Sequence, residues 1–275
     1  MEAARQGPLV VIAPYLSPST REALRRLGIG YLDLTGNARI VTARPGLFIE
    51  TQGASVDPDP RDRPTRSLRG AKASRVVRAL VDRKEPAGVR ELAARTGVDA
   101  GYVSRVLSFL SSEALVTRTR NGRLQSVEWL GLLRRWAGEA PLESRGAIRT
   151  YLEPRGIPAL LERLGKFRGR YAITGALAAA HHAPIAPTRL AAIWMNSGSA
   201  NVDALGLRPA ESGANVLLVE PGDDYVFEGS EENQGLRYAA PSQVAADLLT
   251  SPGRGPAEGE ALLEWMKGNE EAWRG

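Results

Sequence analysis

Four arginines stand where contacts to a nucleic acid would be made. Arg105 follows the run Leu92-Ala93-Ala94-Arg95-Thr96-Gly97-Val98, and Arg118, Arg120 and Arg123 surround Asn121-Gly122. Ala93, Gly97, Val103 and Val106 have the spacing of a helix-turn-helix. A small residue lets two helices cross closely, and a glycine four positions later takes the left-handed backbone of the tight turn. Val98 then packs beneath the turn, and Val103, Val106, Leu107 and Leu110 make the inward stripe of the second helix. Its outward positions are Ala100, Gly101, Tyr102, Ser104, Arg105 and Ser108. These are short or hydrogen-bonding side chains, as a helix in the major groove requires. Arg105 suits the O6 and N7 of guanine, Tyr102 and Ser104 suit phosphates or base edges, and Asp99 suits the N-cap. Asn121-Gly122 between short apolar runs predicts a hairpin with both turn residues at positive φ. A helix-turn-helix followed by an arginine-tipped hairpin is a winged helix, with the wing along the backbone or minor groove.

Two other constellations carry weaker chemistry. Glu22 on a helix, Asp33 on a strand and Glu50-Thr51-Gln52 on another strand follow the order of a restriction-endonuclease-like Mg²⁺ site. Gln52 replaces the lysine that orients the attacking water, and a proline-rich stretch begins where the fold should continue. The expectation is a non-catalytic remnant, with a metal-dependent nuclease targeted by the winged helix as the alternative. Further on, Tyr171-Ala172-Ile173-Thr174-Gly175-Ala176 resembles the start of a nucleotidyltransferase fold. The strand predicted after it, Leu190 to Asn196, has no acid to bind catalytic metal, and Asp203 stands alone. No catalytic residue, metal or cofactor is therefore expected. His181 and His182 are neighbours whose side chains diverge on a helix, so they read as a helix-end pair. Trp194, Trp265 and Trp273 read as core or interface.

Composition limits the rest. With 275 residues and 43% hydrophobic content the chain can fill a sizeable core, and with no cysteine it has no disulfide, zinc-finger or thiol chemistry. No apolar run approaches the ~18 residues of a membrane span, and no signal peptide fits, so a cytoplasmic protein without membrane contact is expected. The net charge of +5 is uneven: residues 1–60 are neutral, residues 61–135 hold 17 basic and seven acidic groups, and residues 201–275 hold five basic and 14 acidic. A basic centre attracts phosphate backbones, whereas an acidic tail indicates a module with another task.

These residues need particular elements to hold them. Leu9–Ile12 predicts a strand, Ser17-Pro18 a capped helix to Leu27, and residues 31–34, 38–41 and 47–50 three more strands. Asp57-Pro58-Asp59-Pro60 and Arg61-Asp62-Arg63-Pro64 read as linker. Residues 71–83 predict the first helix of the winged unit. Residues 143–165 read as helix interrupted by Pro154 and Pro158; 176–181, 242–249 and 257–267 read as helices, and 190–194, 216–219 and 225–227 as strands. The expected fold class is α+β multidomain. An N-terminal α/β unit takes residues 1–55, a linker 56–70, the winged helix-turn-helix 71–130 and a C-terminal α/β nucleotidyltransferase-like module 140–275, expected to serve partner binding or dimerisation.

The order of Gly30-Tyr31-Leu32-Asp33-Leu34-Thr35-Gly36-Asn37-Ala38, the winged helix, Thr174-Gly175-Ala176-Leu177-Ala178-Ala179 and Gln243-Val244-Ala245-Ala246-Asp247-Leu248-Leu249 with Gly253-Arg254-Gly255 resembles the AbiE-type antitoxins of type IV toxin–antitoxin systems, in the group described as transcriptional regulators. The resemblance implies an autoregulating repressor of double-stranded DNA and a cognate nucleotidyltransferase-type toxin as a further partner; a homodimer is expected because helix-turn-helix proteins pair over two half-sites. Such antitoxins commonly begin with the winged helix. Here a 50-residue α/β unit precedes it, which leaves a stand-alone regulator and a purely protein-binding antitoxin as alternatives.

Overall fold

Ser17 opens the first helix as its residue type predicts. Its hydroxyl accepts from the Thr20 amide, Pro18 begins the helix, and Gly28 takes φ 69° just beyond its end. The computed structural model describes residues 8–44, 46–58, 67–84, 87–183, 187–196 and 198–275. Residues 59–66 of the expected linker lie outside these.

The N-terminal unit is β1 (Val10–Ala13), α1 (Pro18–Arg26), β2 (Gly30–Asp33), β3 (Ala38–Ala43) and β4 (Gly46–Thr51). They form one sheet in the order β1-β2-β3-β4, with β1 and β2 parallel and the other pairs antiparallel. The corner after β2 is held by Asp33. Its carboxylate is buried and accepts from the amides of Leu16, Thr35 and Asn37, from the Thr35 hydroxyl and from the Asn37 side-chain amide. Gly53 closes the same corner: a Cβ there would lie 2.0 Å from the Thr35 carbonyl oxygen.

Next come α2 (Ala71–Val81), α3 (Val89–Thr96), α4 (Ala100–Ser112) and the hairpin β5 (Val116–Arg118) with β6 (Leu124–Val127). Gly97 between α3 and α4 is left-handed at φ 63°. Val76, Val77, Leu80 and Val81 of α2 meet Leu92, Val98, Val103, Val106, Leu107 and Leu110 in the core. The hairpin turn differs from the expected one. Only Gly122 has positive φ, Gly122 N donates to Thr119 O, and the register slips between Thr117 and Arg118. Thr119 and Arg123 close a three-residue loop, Arg120-Asn121-Gly122, in which only the last residue takes the left-handed conformation, so Asn121 is spared it.

A helix that the sequence reading had not assigned, α5 (Trp129–Glu139), leads into the last part of the chain. There the expected helix over 143–165 is instead α6 (Leu142–Arg145), β7 (Gly146–Leu152) and α7 (Ile157–Lys166). Strand pairing overrides helical pattern here: residues 146–151 align one-to-one with 221–216. Gly146 fits this tight packing, since a Cβ would stand 2.6 Å from Glu220 O and 2.7 Å from the Trp194 ring.

The chain continues through β8 (Tyr171–Thr174), α8 (Gly175–Ala179), β9 (Ala191–Met195), α9 (Ser199–Ala204), β10 (Arg208–Pro209) and β11 (Val216–Pro221). The expected strand at 225–227 is a 3₁₀ helix, Asp224–Phe227, because Asp223 caps it through the Tyr225 amide. Then follow β12 (Glu231–Asn233), β13 (Leu236–Tyr238), α10 (Pro241–Leu249), α11 (Gly255–Gly268) and α12 (Glu270–Trp273). Seven strands make one mixed sheet, β10-β7-β11-β9-β8-β13-β12. The chain is thus an α+β protein.

One apolar cluster runs from Leu68 to Met266 and takes in α2–α5, the hairpin and the seven-stranded sheet. A buried polar chain crosses it. Arg78 of α2 donates to Asp82 and to Gln243 of α10, and Gln243 donates to Asp247. Asp247 also accepts from Thr174 and Trp194 and pairs with Arg145 at 2.7 Å. Each of these buried groups has a partner that offsets its desolvation.

Candidate nucleic-acid interface

Helix α4 is positioned by Asp99, whose carboxylate accepts from the Tyr102 amide, and by its buried row Val103, Val106, Leu107 and Leu110. The opposite side is exposed at Gly101, Arg105 and Ser108, which repeat at four and three residues and so line one face. Ala100, Tyr102 and Ser104 are half-buried on its flanks. The Arg105 guanidinium lies 5.7 Å from the centroid of the Tyr102 ring, which holds the side chain along the helix. Ser108 is less free than the sequence implied: its hydroxyl donates to the Ser104 carbonyl at 2.9 Å. Gly101 leaves bare backbone at the N-terminal end of the face, and a Cβ there would stand 3.0 Å from Asp99 Oδ1.

On the hairpin, Arg120 and Arg123 are exposed. Arg118 is half-buried and folds back, donating through Nε to Gly122 O at 3.2 Å. Among the described residues none of Arg105, Arg118, Arg120 and Arg123 forms an ion pair. Elsewhere arginines are paired: Arg25 with Glu50, Arg75 with Asp223, Arg134 with Glu260, Arg163 with Glu153. Arg90, in the first turn of α3, is also exposed and forms no ion pair among the described residues. The sequence does not single it out, because the contacts expected from it lie only on the second helix of the motif and on the hairpin. Its cue was a cation on a first helical turn, where a macrodipole favours anions instead.

The N-terminal acids are differently employed. Asp33 is buried; burial alone would raise its pKa, but the hydrogen bonds from Thr35, Asn37 and Leu16 outweigh that and lower it to about 2. Arg25 stands between the other two acids, 3.9 Å from Glu22 and bonded to Glu50. Among the described residues no group of three or more His, Asp or Glu side chains is placed to hold a metal ion.

His181 and His182 follow α8 and turn to different aromatic partners. His181 meets Tyr238 edge-on at 4.2 Å and His182 stacks on Trp265 at 4.0 Å. Burial lowers the His182 pKa, and the neighbouring His181 lowers it further. Trp194 is fully buried and Trp273 packs edge-on against Trp129 at 5.0 Å, so both serve the core. A separate cleft of about 450 Å³ opens over the large sheet, floored by Ile148, Thr174, Ala192 and Leu217 and edged by Arg189 and Arg254.

No helix among the described residues is long and apolar enough to cross a membrane. No family model, curated protein or solved structure matches the chain.

Proposed function

We propose that the chain is a sequence-specific regulator of transcription that binds double-stranded DNA, with α2–α4 and the β5–β6 hairpin acting as a winged helix-turn-helix. The observation that carries this reading is the pairing of two features on one unit. The exposed row Gly101–Arg105–Ser108 of α4 offers small and hydrogen-bonding groups to base edges. Beside it in sequence, the hairpin presents arginines without carboxylate partners among the described residues, as phosphate contacts require. Arg105 reads base edges, Arg120 and Arg123 hold the backbone, and Arg90 adds a phosphate contact from the preceding helix. The resemblance to AbiE-type antitoxins extends this to an autoregulating repressor. In that reading the N-terminal sheet is a restriction-endonuclease-like remnant and the large sheet is a nucleotidyltransferase-like module that faces a partner.

The test is binding to duplex DNA from upstream of the coding sequence, against a scrambled duplex, over a salt series with and without Mg²⁺. Arg105→Ala is expected to lower specific affinity by about 1–3 kcal/mol, while Arg120→Ala weakens all sequences alike and reduces the salt slope by about 1. Equal loss on upstream and scrambled DNA for Arg105→Ala, or a cut product in Mg²⁺, overturns the reading.

A further inference from the structure

Ten of the eleven large apolar side chains that are exposed among the described residues lie between Leu9 and Val56. Five of them, Ile12, Leu32, Leu34, Leu47 and Ile49, gather on one side. The strand register sets Ile12 beside Leu32, Leu32 beside Ala38, Ile40 beside Ile49 and Thr42 beside Leu47. Alternation along each strand keeps these on one side of the sheet. Leu34, two residues beyond Leu32, extends the row. The opposite side carries Asp33, Arg39 and Glu50, which α1 covers and bonds through Arg25 to Glu50, with Val41 and Phe48 exposed beyond the helix. Helix α1 also reaches the rest of the chain, Arg26 to Glu128 and Ser19 to the Glu113 carbonyl. The apolar side of the sheet therefore faces away from the rest of the molecule.

We infer that this sheet face is the contact between two copies of the chain, packed face to face about a two-fold axis. Two observations favour a second copy over another partner. The first is area. Ile12, Leu32, Leu34, Leu47 and Ile49 are 68%, 37%, 80%, 43% and 39% exposed. Together they present about 500 Å². A stable interface takes about 800 Å² per partner and homodimers are about 65% apolar, which again is about 500 Å². The second is charge. A two-fold axis sets each patch against itself, so any charge on it meets its own kind. This row has no charged residue, and residues 1–60 are neutral, whereas the basic centre and the acidic tail would each repel their own copies.

The inference concerns the dimer that the DNA reading anticipates, but it stands on the sheet alone and is tested without DNA. Sedimentation of the full chain over a concentration series should show a reversible dimer. Ile12→Lys and Leu34→Glu, both at largely exposed positions and so compatible with folding, should each raise its Kd by roughly tenfold or more, since an unpaired charge would be buried. Phe48→Lys, on the other side of the sheet, should leave association unchanged, and so should Arg105→Ala, which is expected to lose specific DNA binding. A wild-type chain that sediments as a monomer, or equal weakening by Ile12→Lys and Phe48→Lys, overturns the inference. A wild-type chain that dimerises but does not bind upstream DNA would count against the DNA reading only.

Discussion

Asp33 and Asp247 are both buried carboxylates with every oxygen engaged, yet they hold together very different structures. Asp33 draws its partners from Leu16, Thr35 and Asn37, within 17 residues of itself. Asp247 draws on Gln243 nearby but also on Arg145, Thr174 and Trp194, from 53 to 102 positions away, and through Gln243 on Arg78. The first fixes one corner of a small sheet. The second joins α2, α6, α10, β8 and β9, so that the helical unit and the large sheet share one core. The contrast extends to apolar surface: the large body exposes a single big apolar side chain among the described residues, Leu190, while the stretch from Leu9 to Val56 leaves ten uncovered. A unit of about 45 residues cannot bury enough of itself. It is left with a face to spend on association.

The comparison breaks most sharply at Asp247. Asp247→Ala leaves Arg145 buried without its carboxylate, and breaking a buried pair in this way costs about 3–5 kcal/mol. Denaturant titration should show the loss in unfolding of the large body, with α2 and the seven-stranded sheet exchanging their amides together. Separate exchange of α2 would mean that the polar chain does not couple them. Asp33→Ala is expected to cost less, about 2 kcal/mol. It should act on the N-terminal sheet alone, seen as faster exchange at Leu16, Thr35 and Asn37.

The Asp33 carboxyl titrates near 2 in the folded chain instead of near 3.8. Folding therefore favours its ionised form. The stabilisation is present above about pH 4 and is lost as the pH falls through 2. Acid titration of the wild type should open this corner in that window, and the Asp33→Ala variant should lack the transition. The smallest effect is at Gly97. Alanine there must adopt φ 63°, at a cost of about 1 kcal/mol. Because Gly97 orients α4, the variant should lose more specific DNA affinity than stability, measured as binding at a temperature well below its melting transition.

Reading α4 from sequence worked because its signals are local. Gly97 at the turn, Asp99 at the cap and the stripe from Val103 to Leu110 concern neighbours within one helical turn, and all stand as expected. Ser17 and Pro18 were legible for the same reason. The strand at 146–152 was not. Its residues carry a helical pattern, and what makes them a strand is the 216–221 segment that pairs with them. Arg118 likewise folds back on its own turn, where its Nε donates to Gly122 O, a geometry that the residue types alone did not indicate.

Sequence by itself determined where α1 and α4 start and that α3 stops at Gly97, which side of α4 carries hydrogen-bonding groups, and that the charge is gathered in the middle of the chain. Caps, left-handed glycines and apolar periodicity act over a few residues, where chain connectivity already supplies the neighbour. Tertiary structure alone decided that α2 shares a core with the large sheet, that Asp247 collects its distant partners, and that Leu32, Leu47 and Ile49 line one uncovered face. Those outcomes depend on burial and on strand register between segments tens of residues apart.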